Sequence, residues 1–499
     1  MHRLLLSAAP LAVVAGILAG DALGPGSASR TLVTCVAGVA AVVLVRGPTV
    51  RGALALAVLA GLACAFERRA LHGLTSGATV DAARARADVV VTATIIDDPD
   101  GSRWSTRALA RVDTLETGGA HARTFVHERR TILIAADGTA TGRVAVLAAG
   151  DHVVLRGWLH PLDGYDERFR WRHAVARLDA LELVDASSPH SVLARVANDA
   201  RAVALAGTDA LPPTERALMA GFLLGDTRDL PDPVVASFRA SGLSHLLAVS
   251  GANVAFVLAL VGPALRRSPR AVRLALTLAV LGLFGAMTRW EPSVLRACAM
   301  AATAVLASHL GRPARGVRVL ALAVTGLLLV DPFLLRSVGF LLSCGASLGI
   351  TVLAAPIAQR LRGPAWFRES FGTTLAAQLG VAPVLLPVFG SVPLVALPAN
   401  LLAVPLVGPL TTWGLTGGVA AGLVRSRAPA LAGMLQVPTR FLSDAVLGLA
   451  DLAGGVPVAL DAGDVAVVAV LGGVIAAAVA GQRVRRRMLR ERALVVPPR

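Results

Sequence analysis

The sequence predicts a polytopic α-helical membrane protein with an inserted extracytoplasmic OB-like β-barrel domain. The 499 residues are 55% hydrophobic and have a mean hydropathy of +0.67, more than a soluble protein of this size needs. Several apolar segments reach the roughly 18 residues that cross a bilayer. Between residues 80 and 185 the pattern changes to alternating apolar and polar residues separated by Asp-Gly and Gly-Asp turns, which is typical of β-strands.

The charge balance does not by itself indicate a partner. The net charge is +16, and all 48 basic side chains are arginine. Since positive residues collect in the cytoplasmic loops of membrane proteins, this balance does not require a nucleic acid. The four cysteines lie in apolar segments without a C-x-x-C or Cys/His cluster, so we expect neither a zinc site nor a disulfide.

Residues 1–70 predict an N-terminal transmembrane region with apolar segments at 4–22, 31–45 and 52–66. The first segment is long and further spans follow at once, which favours a retained anchor over a cleaved signal peptide. Arg46 and Arg51 flank the turn between the second and third segments, and the positive-inside rule places this turn in the cytoplasm. The N-terminus is then cytoplasmic, and residues 80–185 lie outside.

The 80–185 domain contains the alternating segments ADVVVTATI, RRTILIAA, GRVAVLA and DHVVLRGWL, and about five strands suit a small OB-type barrel. OB folds often bind single-stranded nucleic acid through aromatic platforms and a basic groove. Here 14 Arg stand against 16 Asp and Glu, a net charge of −2, so only a local arginine cluster is basic. The candidate DNA contacts are Trp158, Arg168, Arg170 and Trp171, with Trp104, Tyr165 and Phe169 as further platforms. The alternative is that these aromatic residues form barrel core or face the membrane.

Residues 190–240 predict interfacial amphipathic helices with a break at Pro212-Pro213, and residues 241–482 predict a multi-helix membrane domain. Its apolar spans lie at 245–265, 271–288, 292–310, 317–331, 337–358, 371–389, 393–410 and 463–481. Arginines concentrate in the loops that this orientation makes cytoplasmic, and the basic tail 483–499 ends inside at anionic lipid. Two interpretations of 393–455 stay open: two short crossings followed by an outer helix, or one broken helix followed by a crossing over 430–453.

The densest polar sequence in an apolar setting runs from Leu224 to Val254. Polar groups at the edge of a span are costly to desolvate unless they are paired or wetted by a pore, so this region is a candidate functional site. Its candidate residues are Asp226, His245, Ser250, Gly251 and Asn253. The competing interpretations are a plain helix cap at Asp226, an interfacial His245 bound to backbone, and helix packing through small residues.

Arg296 lies inside a predicted span, after Pro292, and its guanidinium cannot lose its proton. Within a membrane it needs an anion, a set of carbonyls or water. Glu291 or Asp331 would be a static partner, whereas phosphates in a wet pore would be a functional one. Asn400 and Gln378 are weaker candidates of the same kind.

Prolines crowd the chain around Asn400, and helix breaks at membrane depth occur where the backbone lines a cavity or is buried in protein. This pattern favours a pore or transport route over a simple anchor. The prolines concerned are Pro383, Pro387, Pro393, Pro398, Pro405 and Pro409.

The segment GLSHLLAVSGANV resembles the signature helix of the ComEC competence proteins, which conduct transforming DNA across the cytoplasmic membrane. LLGDTRDLPDPVVASFRASG is similar to the approach to that helix, and EPSVLRACAM resembles the Pro-Ser-x-x-Arg-Ala element. DPFLLRSVGFLLSCGASLGI and LPVFGSVPLVALPANLLAVPLV resemble late helices of the family, and PLDGYDERFRWRHAVARL resembles the link out of its OB region. The resemblance covers nearly the whole chain and makes 241–482 the competence-type channel domain.

Two departures from the family accompany the resemblance. Many members read Ser-Gly-Leu-His-Val where this chain has Ser250 to Val254, so Asn253 stands where a second histidine is common. Many members also continue into a metallo-β-lactamase-like nuclease domain, and this sequence has no H-x-H-x-D-H motif. The resemblance then implies a separate nuclease if the second strand is degraded.

The resemblance implies a channel for single-stranded transforming DNA during natural competence, and we expect a multi-pass protein of the cell membrane rather than an enzyme. The DNA path would include Asp226, His245, Ser250, Gly251, Asn253, Arg296 and Asn400. We expect no cofactor, and the missing phosphate-loop motif implies a cytoplasmic motor ATPase or helicase, together with an outer DNA receptor. A transporter of a lipid or cell-envelope precursor also fits the broken helices. An intramembrane hydrolase fits less well, because His245 and Ser250 are five residues apart on a helix and do not face each other.

Overall fold

A computed structural model of the chain describes residues 2–26, 48–101, 105–118, 124–312, 316–393, 395–456 and 459–461. The predicted span 31–45, the final span 463–481, Trp104 and the basic tail 483–499 lie outside these residues. Two N-terminal helices, α1 (His2–Leu23) and α2 (Pro48–Thr75), pack against each other, and α1 also contacts helix α12 (Gly316–Val330). The N-terminal helices therefore pack as part of the later helical domain.

The β-domain is a closed barrel of five strands, β1 (Asp88–Ile95), β3 (Ser105–Thr117), β5 (Thr131–Asp137), β6 (His152–His160) and β7 (Ala174–Ser187). Four of the five pairings are antiparallel, β5 and β7 run parallel, and β6 returns to β1 to close the sheet. Every second residue of β1 is buried, as the alternating sequence predicts. This strand order is that of an OB fold, so the predicted barrel is confirmed.

Short elements decorate the barrel. Strands β2 (Asp100–Gly101) and β4 (Thr124–His127) pair with β3, and helix α4 (Thr141–Ala145) lies between β5 and β6. Helix α3 (Ala78–Arg84) joins α2 to β1, and a 3-10 helix (Gly164–Arg172) joins β6 to β7. The loop that follows β1 contains Asp97 and Asp98, and the β6–β7 connection carries the arginine-rich segment.

Four helices follow the barrel: α5 (Val192–Ala206), α6 (Pro213–Leu224), α7 (Asp232–Ala240) and the single turn α8 (Ser244–Leu247). Helix α6 starts after Pro212 and ends at Gly225, whose φ of 75° is the left-handed value that glycine adopts at helix ends. Its side chains Leu218, Met219 and Phe222 are buried, so α6 lies within the helical domain rather than on its surface.

The remaining helices build the membrane domain. They are α9 (Gly251–Leu265), α10 (Arg270–Met287), α11 (Pro292–His309), α12, α13 (Val338–Arg360), α14 (Ala365–Phe389), α15 (Ala396–Val424) and α16 (Pro429–Gly454). In the described segments, four of them, α10, α13, α14 and α15, are long and apolar enough to span a bilayer, and α9 and α12 are apolar but shorter. Together with the barrel, these helices confirm the predicted fold class; the side of the membrane on which the barrel lies stays a prediction.

The two interpretations of residues 393–455 differ in how many helices this segment contains. The structure has α15 as one continuous helix of 29 residues, despite Pro405 and Pro409, followed by α16. This arrangement differs from the one with two short crossings. A short strand, β8 (Ser391–Pro393), pairs with β9 (Ala459–Asp461) at the ends of this helix pair.

Candidate functional site

The sequence-predicted residues meet where the turn after α6, the start of α9 and the start of α11 come together. Val249 packs its side chain near Gly225, where a Cβ atom would lie 3.0 Å from Val249 Cγ2. The hydroxyl of Ser293, in the first turn of α11, donates to the carbonyl of Val249 at 2.5 Å. The polar sequence before α9 is therefore held between two helix ends.

Arg296 is a buried cation that is bound by neutral groups. Its side chain is in the core of the helical domain, and its residue is only 7% exposed. Nε donates to Ser343 Oγ at 2.7 Å, and Nη1 lies 2.9 Å from Met300 Sδ. Among the described residues no carboxylate lies within 4.0 Å of its guanidinium, so neither Glu291 nor Asp331 is its static partner.

Gly251 and Asn253 lie in the same part of the helical domain as Arg296. A Cβ atom on Gly251 would lie 3.2 Å from Arg296 Nη2, so the glycine lets the backbone approach the guanidinium. Asn253 is buried and donates from Nδ2 to the carbonyl of Phe222 at 2.6 Å, which ties α9 to α6. Ser250 donates to Asn253 Oδ1 at 3.4 Å and precedes the first turn of α9. The structure thus brings Ser250, Gly251, Asn253 and Arg296 together.

Asp226 belongs to a different arrangement, which we call the ionic junction and which consists of Asp98, Arg201, Asp226, Arg228 and Arg289. Arg228 binds Asp226 with two hydrogen bonds of 2.7 and 2.6 Å, and Arg201 donates to Asp226 at 3.2 Å. Arg201 also donates to Asp98 at 2.9 Å, and Arg289 donates to Asp98 at 2.7 Å. Because Asp98 lies on the barrel and the others on the helical domain, the junction fixes one domain on the other.

The electrostatics of the ionic junction keep both carboxylates charged. Burial alone would raise the pKa of Asp98, but the hydrogen bond from Arg289 and the charge of Arg201 bring this pKa below its ordinary value. Burial likewise opposes ionisation of Asp226, and the hydrogen bonds and charge of Arg228 lower its pKa below the usual range. Both groups are therefore anionic partners of the junction's arginines, of which Arg201 is buried, rather than helix caps.

The turn that carries Arg289 is unusual in its backbone. Arg289 and Trp290 have φ values of 53° and 55°, which β-carbon sterics disfavour in residues other than glycine. The paired contact of Arg289 with Asp98 holds this turn, and Trp290 packs its ring against Gly285. The barrel therefore binds at a strained connection between α10 and α11.

His245 and Asn400 lie apart from Arg296. His245 is exposed on the turn α8, and within the described residues no hydrogen bond or ion pair joins it to Asp226 or Arg296. Asn400 is buried in α15 and donates to the carbonyl of Ala396, one turn earlier. Gly242 packs against Ala396, so the segment before α8 meets the start of α15. His245 and Asn400 each lie three or four residues along the chain from that contact.

The candidate DNA contacts of the barrel divide into two kinds. Trp171 packs edge-on against Phe333, and the Arg336 guanidinium lies 4.3 Å from its ring, so its contacts are with the helical domain. Arg168, by contrast, is exposed and stacks 3.5 Å from the ring centroid of the exposed Tyr165. Buried Asp166 pairs with Arg177 at 3.1 Å and pins this connection to the barrel.

The other two barrel candidates differ in their surroundings. Arg170 is half-buried and lies 5.8 Å from the ring of Trp171, on the side of the connection that faces the helices. Trp158 is exposed on the outer face of β6, between Asp88 and Asp179 of its neighbouring strands. An exposed ring between two carboxylates is a poorer surface for a polyanion than the Tyr165–Arg168 stack.

Sequence reasoning missed most of the ionic junction and the partner of Arg296. Arg201 lies in a segment that the sequence predicts as an amphipathic helix, and Arg289 lies between two predicted spans, so neither was a candidate site residue. The adjacent Asp97-Asp98 pair after a strand was a usable signal for a loop that meets cations. Ser343 carried no signal, because one serine in an apolar helix is ordinary.

Comparison with known proteins bears on the helical domain. A family model described as "Competence protein" matches residues 222–487, just over half of the chain. ComE operon protein 3 of Bacillus subtilis (strain 168) is 24% identical over 340 residues, which cover 66% of this chain and 40% of that protein. Uncharacterized protein YcaI of Escherichia coli (strain K12) is 27% identical over 213 residues, covering 39% of this chain and 28% of that protein. The matches span less than half of the length of these relatives, and no solved structure matches.

Proposed function

The chain belongs to the competence protein family, and from this premise we propose that it is a cell-membrane channel for single-stranded transforming DNA in natural competence. We further propose the division into N-terminal helices (1–70), barrel (80–185), interfacial helices (190–240), channel domain (241–482) and cytoplasmic tail (483–499). The proposal makes the protein a conduit without a cofactor and not an enzyme.

The observation that carries this proposal is Arg296. A guanidinium keeps its charge at every working pH, and burial without a counter-ion is unfavourable. The described residues give the guanidinium only neutral partners, Ser343 and Met300, and the backbone at Gly251 packs close to Nη2. A passing phosphate supplies the missing anion, and neutral surroundings keep the contact weak enough to release it.

The other residues of the predicted DNA path have different roles in the proposal. Ser250, Gly251 and Asn253 shape the constriction beside Arg296. His245 and Asn400 line a second portion, where the segment before α8 meets α15. Asp226 acts at a distance, because it holds Arg201 and Arg228 at the barrel interface and leaves no free cation there to trap the strand.

The barrel receives the strand in this proposal. The Tyr165–Arg168 stack offers a ring for a base and a guanidinium for a phosphate, and it lies on a connection that OB folds use for oligonucleotides. Arg170 and Trp158 are secondary contacts for the DNA strand. Trp171 supports the β6–β7 connection from the side that faces the helical domain. The ionic junction then sets a fixed distance between this surface and Arg296.

The orientation and partners follow from the same proposal. Termini in the cytoplasm place the barrel outside, next to an outer DNA receptor. Movement of the strand requires a cytoplasmic motor ATPase or helicase, and any degradation of the second strand requires a separate nuclease. The lipid bilayer is the remaining partner.

The test is complementation of a naturally competent host whose own channel gene has been deleted. The intact chain should restore transformation and cytoplasmic arrival of fluorescent DNA. Arg296→Ala should lower transformation about tenfold or more, as expected when a charged contact of about 1.5–3 kcal/mol is lost. Arg296→Lys should recover part of this loss, because it keeps the charge but not the planar fork.

Arg273→Ala is the matched control, since Arg273 is an exposed arginine of α10 and should be neutral. Membrane abundance of every variant is measured by blotting. If the intact chain inserts at normal abundance with its partners present and DNA still stops outside, the channel proposal fails, and transport of a lipid or envelope precursor becomes the function to test.

A further inference from the structure

The interface between α15 and α16 buries polar groups that have no partner. The buried residues of α16 recur at alternating spacings of three and four, the pattern of helices packed along a seam. Three consecutive members of this seam are polar, Gln436, Thr439 and Ser443, and they are 2%, 0% and 0% exposed. Both amide atoms of Gln436 and both hydroxyl oxygens lack a hydrogen-bond partner within the described residues.

Three hydroxyls of the facing helix avoid that situation. Thr411, Thr412 and Thr416 of α15 each donate to the carbonyl four residues earlier, which is the usual solution in an apolar setting. The corresponding carbonyl for Thr439 is that of Leu435, which already accepts from Trp413 Nε1 at 2.9 Å. The Thr439 hydroxyl therefore does not bond back onto its own helix, and the Ser443 hydroxyl likewise has no partner within the described residues.

Helix α15 meets this seam with a glycine. A Cβ atom on Gly418 would lie 3.7 Å from Gln436 Nε2. The missing side chain at Gly418 therefore leaves room beside the amide.

The chemistry of these groups selects water as the occupant. Gln436 Nε2 only donates, Gln436 Oε1 only accepts, and the hydroxyls do both, which matches a molecule with two donors and two acceptors. A divalent cation would require carboxylate ligands, and the buried positions of this seam contain none. Gln436 and Ser443 are about 10 Å apart along the axis, enough for a file of about three waters.

The neighbouring surface supplies a source of water. Arg440 and Asp444 are exposed and lie next to Thr439 and Ser443 on α16. Charges of this kind are expensive in lipid, so this side of α16 faces an aqueous space, and α16 is not one of the four span-length helices of the described segments.

We propose that the α15–α16 seam is a water-binding site in which Gln436, Thr439 and Ser443 hold a short file of water continuous with the aqueous side marked by Arg440 and Asp444. The site lies apart from Arg296 and does not depend on DNA conduction. Because the bound water satisfies these polar groups, α15 and α16 can separate without leaving any of them without a hydrogen bond.

The test is the reactivity of engineered cysteines in the full-length, membrane-inserted protein, after replacement of its four native cysteines. Ser443→Cys is nearly isosteric, and Ala450→Cys is the matched control at a buried apolar position of the same seam. Methyl methanethiosulfonate is the probe, because it reacts with thiolates, which form only where water reaches. We expect Ser443→Cys to react severalfold faster than Ala450→Cys.

A measurement of thermal stability tests the proposal even if methyl methanethiosulfonate is too large to enter the seam. Thr439→Val removes the hydroxyl at nearly constant volume, and Thr412→Val is the exposed control on α15. If water is bound, Thr439→Val should lower the thermal unfolding midpoint in detergent, because it removes a partner of that water. The proposal is overturned if both cysteines are labelled equally slowly and the unfolding midpoint of Thr439→Val is at or above that of the parent. Slow labelling together with a lowered Thr439→Val midpoint would support it.

Discussion

At the scale of single residues, Asn253 and Arg296 are buried polar side chains that each tie two helices of the candidate site together. Asn253 joins α9 to α6 through the Phe222 carbonyl, and Arg296 joins α11 to α13 through Ser343. Both side chains are buried, so each bond joins a particular pair of helices inside the helical domain.

Substitution of Asn253 tests the first of these bonds. Asn253→Ala leaves the buried Phe222 carbonyl without its donor at 2.6 Å, which should cost about 1–3 kcal/mol of stability. The readout is the thermal unfolding midpoint of the purified protein in detergent. Ser250→Ala is the control, because its bond of 3.4 Å is long and should contribute little. Equal midpoints for Asn253→Ala and the parent would contradict this role.

At the scale of elements, the ionic junction is expected to dominate the docking of the barrel. Asp98→Ala removes the carboxylate that Arg201 and Arg289 share, and breaking a buried pair costs about 3–5 kcal/mol. Arg201 keeps Asp226, so the loss should fall toward the lower end of that range. The measurement is the midpoint of chemical or thermal unfolding.

The control for Asp98 is another barrel aspartate with an arginine partner. Asp88 pairs with Arg156 at 2.9 Å, but both side chains are well exposed. Asp88→Ala should therefore leave the unfolding midpoint nearly unchanged, because water screens an exposed pair. Similar losses for the two variants would show that burial of the junction does not strengthen it.

The junction also predicts a pH dependence. Folded Asp98 and Asp226 have pKa values below the ordinary value of about 4 that an unfolded aspartate has. Their stabilising contribution is therefore complete above about pH 4 and disappears as the pH falls through the lower folded values. Unfolding midpoints measured from neutral to acidic pH should fall in that window, and Asp98→Asn should flatten the fall. A variant with the same acid profile as the parent would contradict the assignment.

The crossing of α5 and α15 gives a steric prediction. A Cβ atom on Gly207, just after α5, would lie 1.8 Å from the carbonyl oxygen of Gly418. Gly207→Ala should force the helices apart and lower the unfolding midpoint strongly, since backbone atoms cannot yield as a flexible side chain can. Gly433→Ala on α16 meets nothing within 4 Å and should be neutral or slightly stabilising. A tolerated Gly207→Ala would contradict the close approach.

At the scale of the whole molecule, local sequence patterns predicted the helices and strands. The candidate site, by contrast, depends on contacts between residues that are far apart in the sequence. Alternation in β1 and β6 and long apolar runs identified the barrel and the membrane helices, because both depend on periodicity along the chain. The Asp98–Arg289 pair joins residues 191 positions apart, and no local pattern encodes such a pairing. Residues 393–455 were ambiguous because internal prolines resemble breaks, yet α15 is one helix that packs against α16.

The orientation of the whole chain is testable on the barrel. The proposal places residues 80–185 outside the membrane, so an epitope inserted in the segment 119–123 should be cleaved by protease added to intact spheroplasts. An epitope appended after Arg499 should be protected until the membrane is permeabilised. The opposite result would reverse the proposed topology.

Closure of the barrel restricts how other molecules can recognise this domain. Each of its five strands already has a neighbour on both sides, so none of them offers a free edge that a foreign strand could extend. Specificity must then reside in connections and outward side chains, which can vary without disturbing the ladder of backbone bonds. Related proteins could therefore exchange these connections and change what they recognise while keeping the same scaffold.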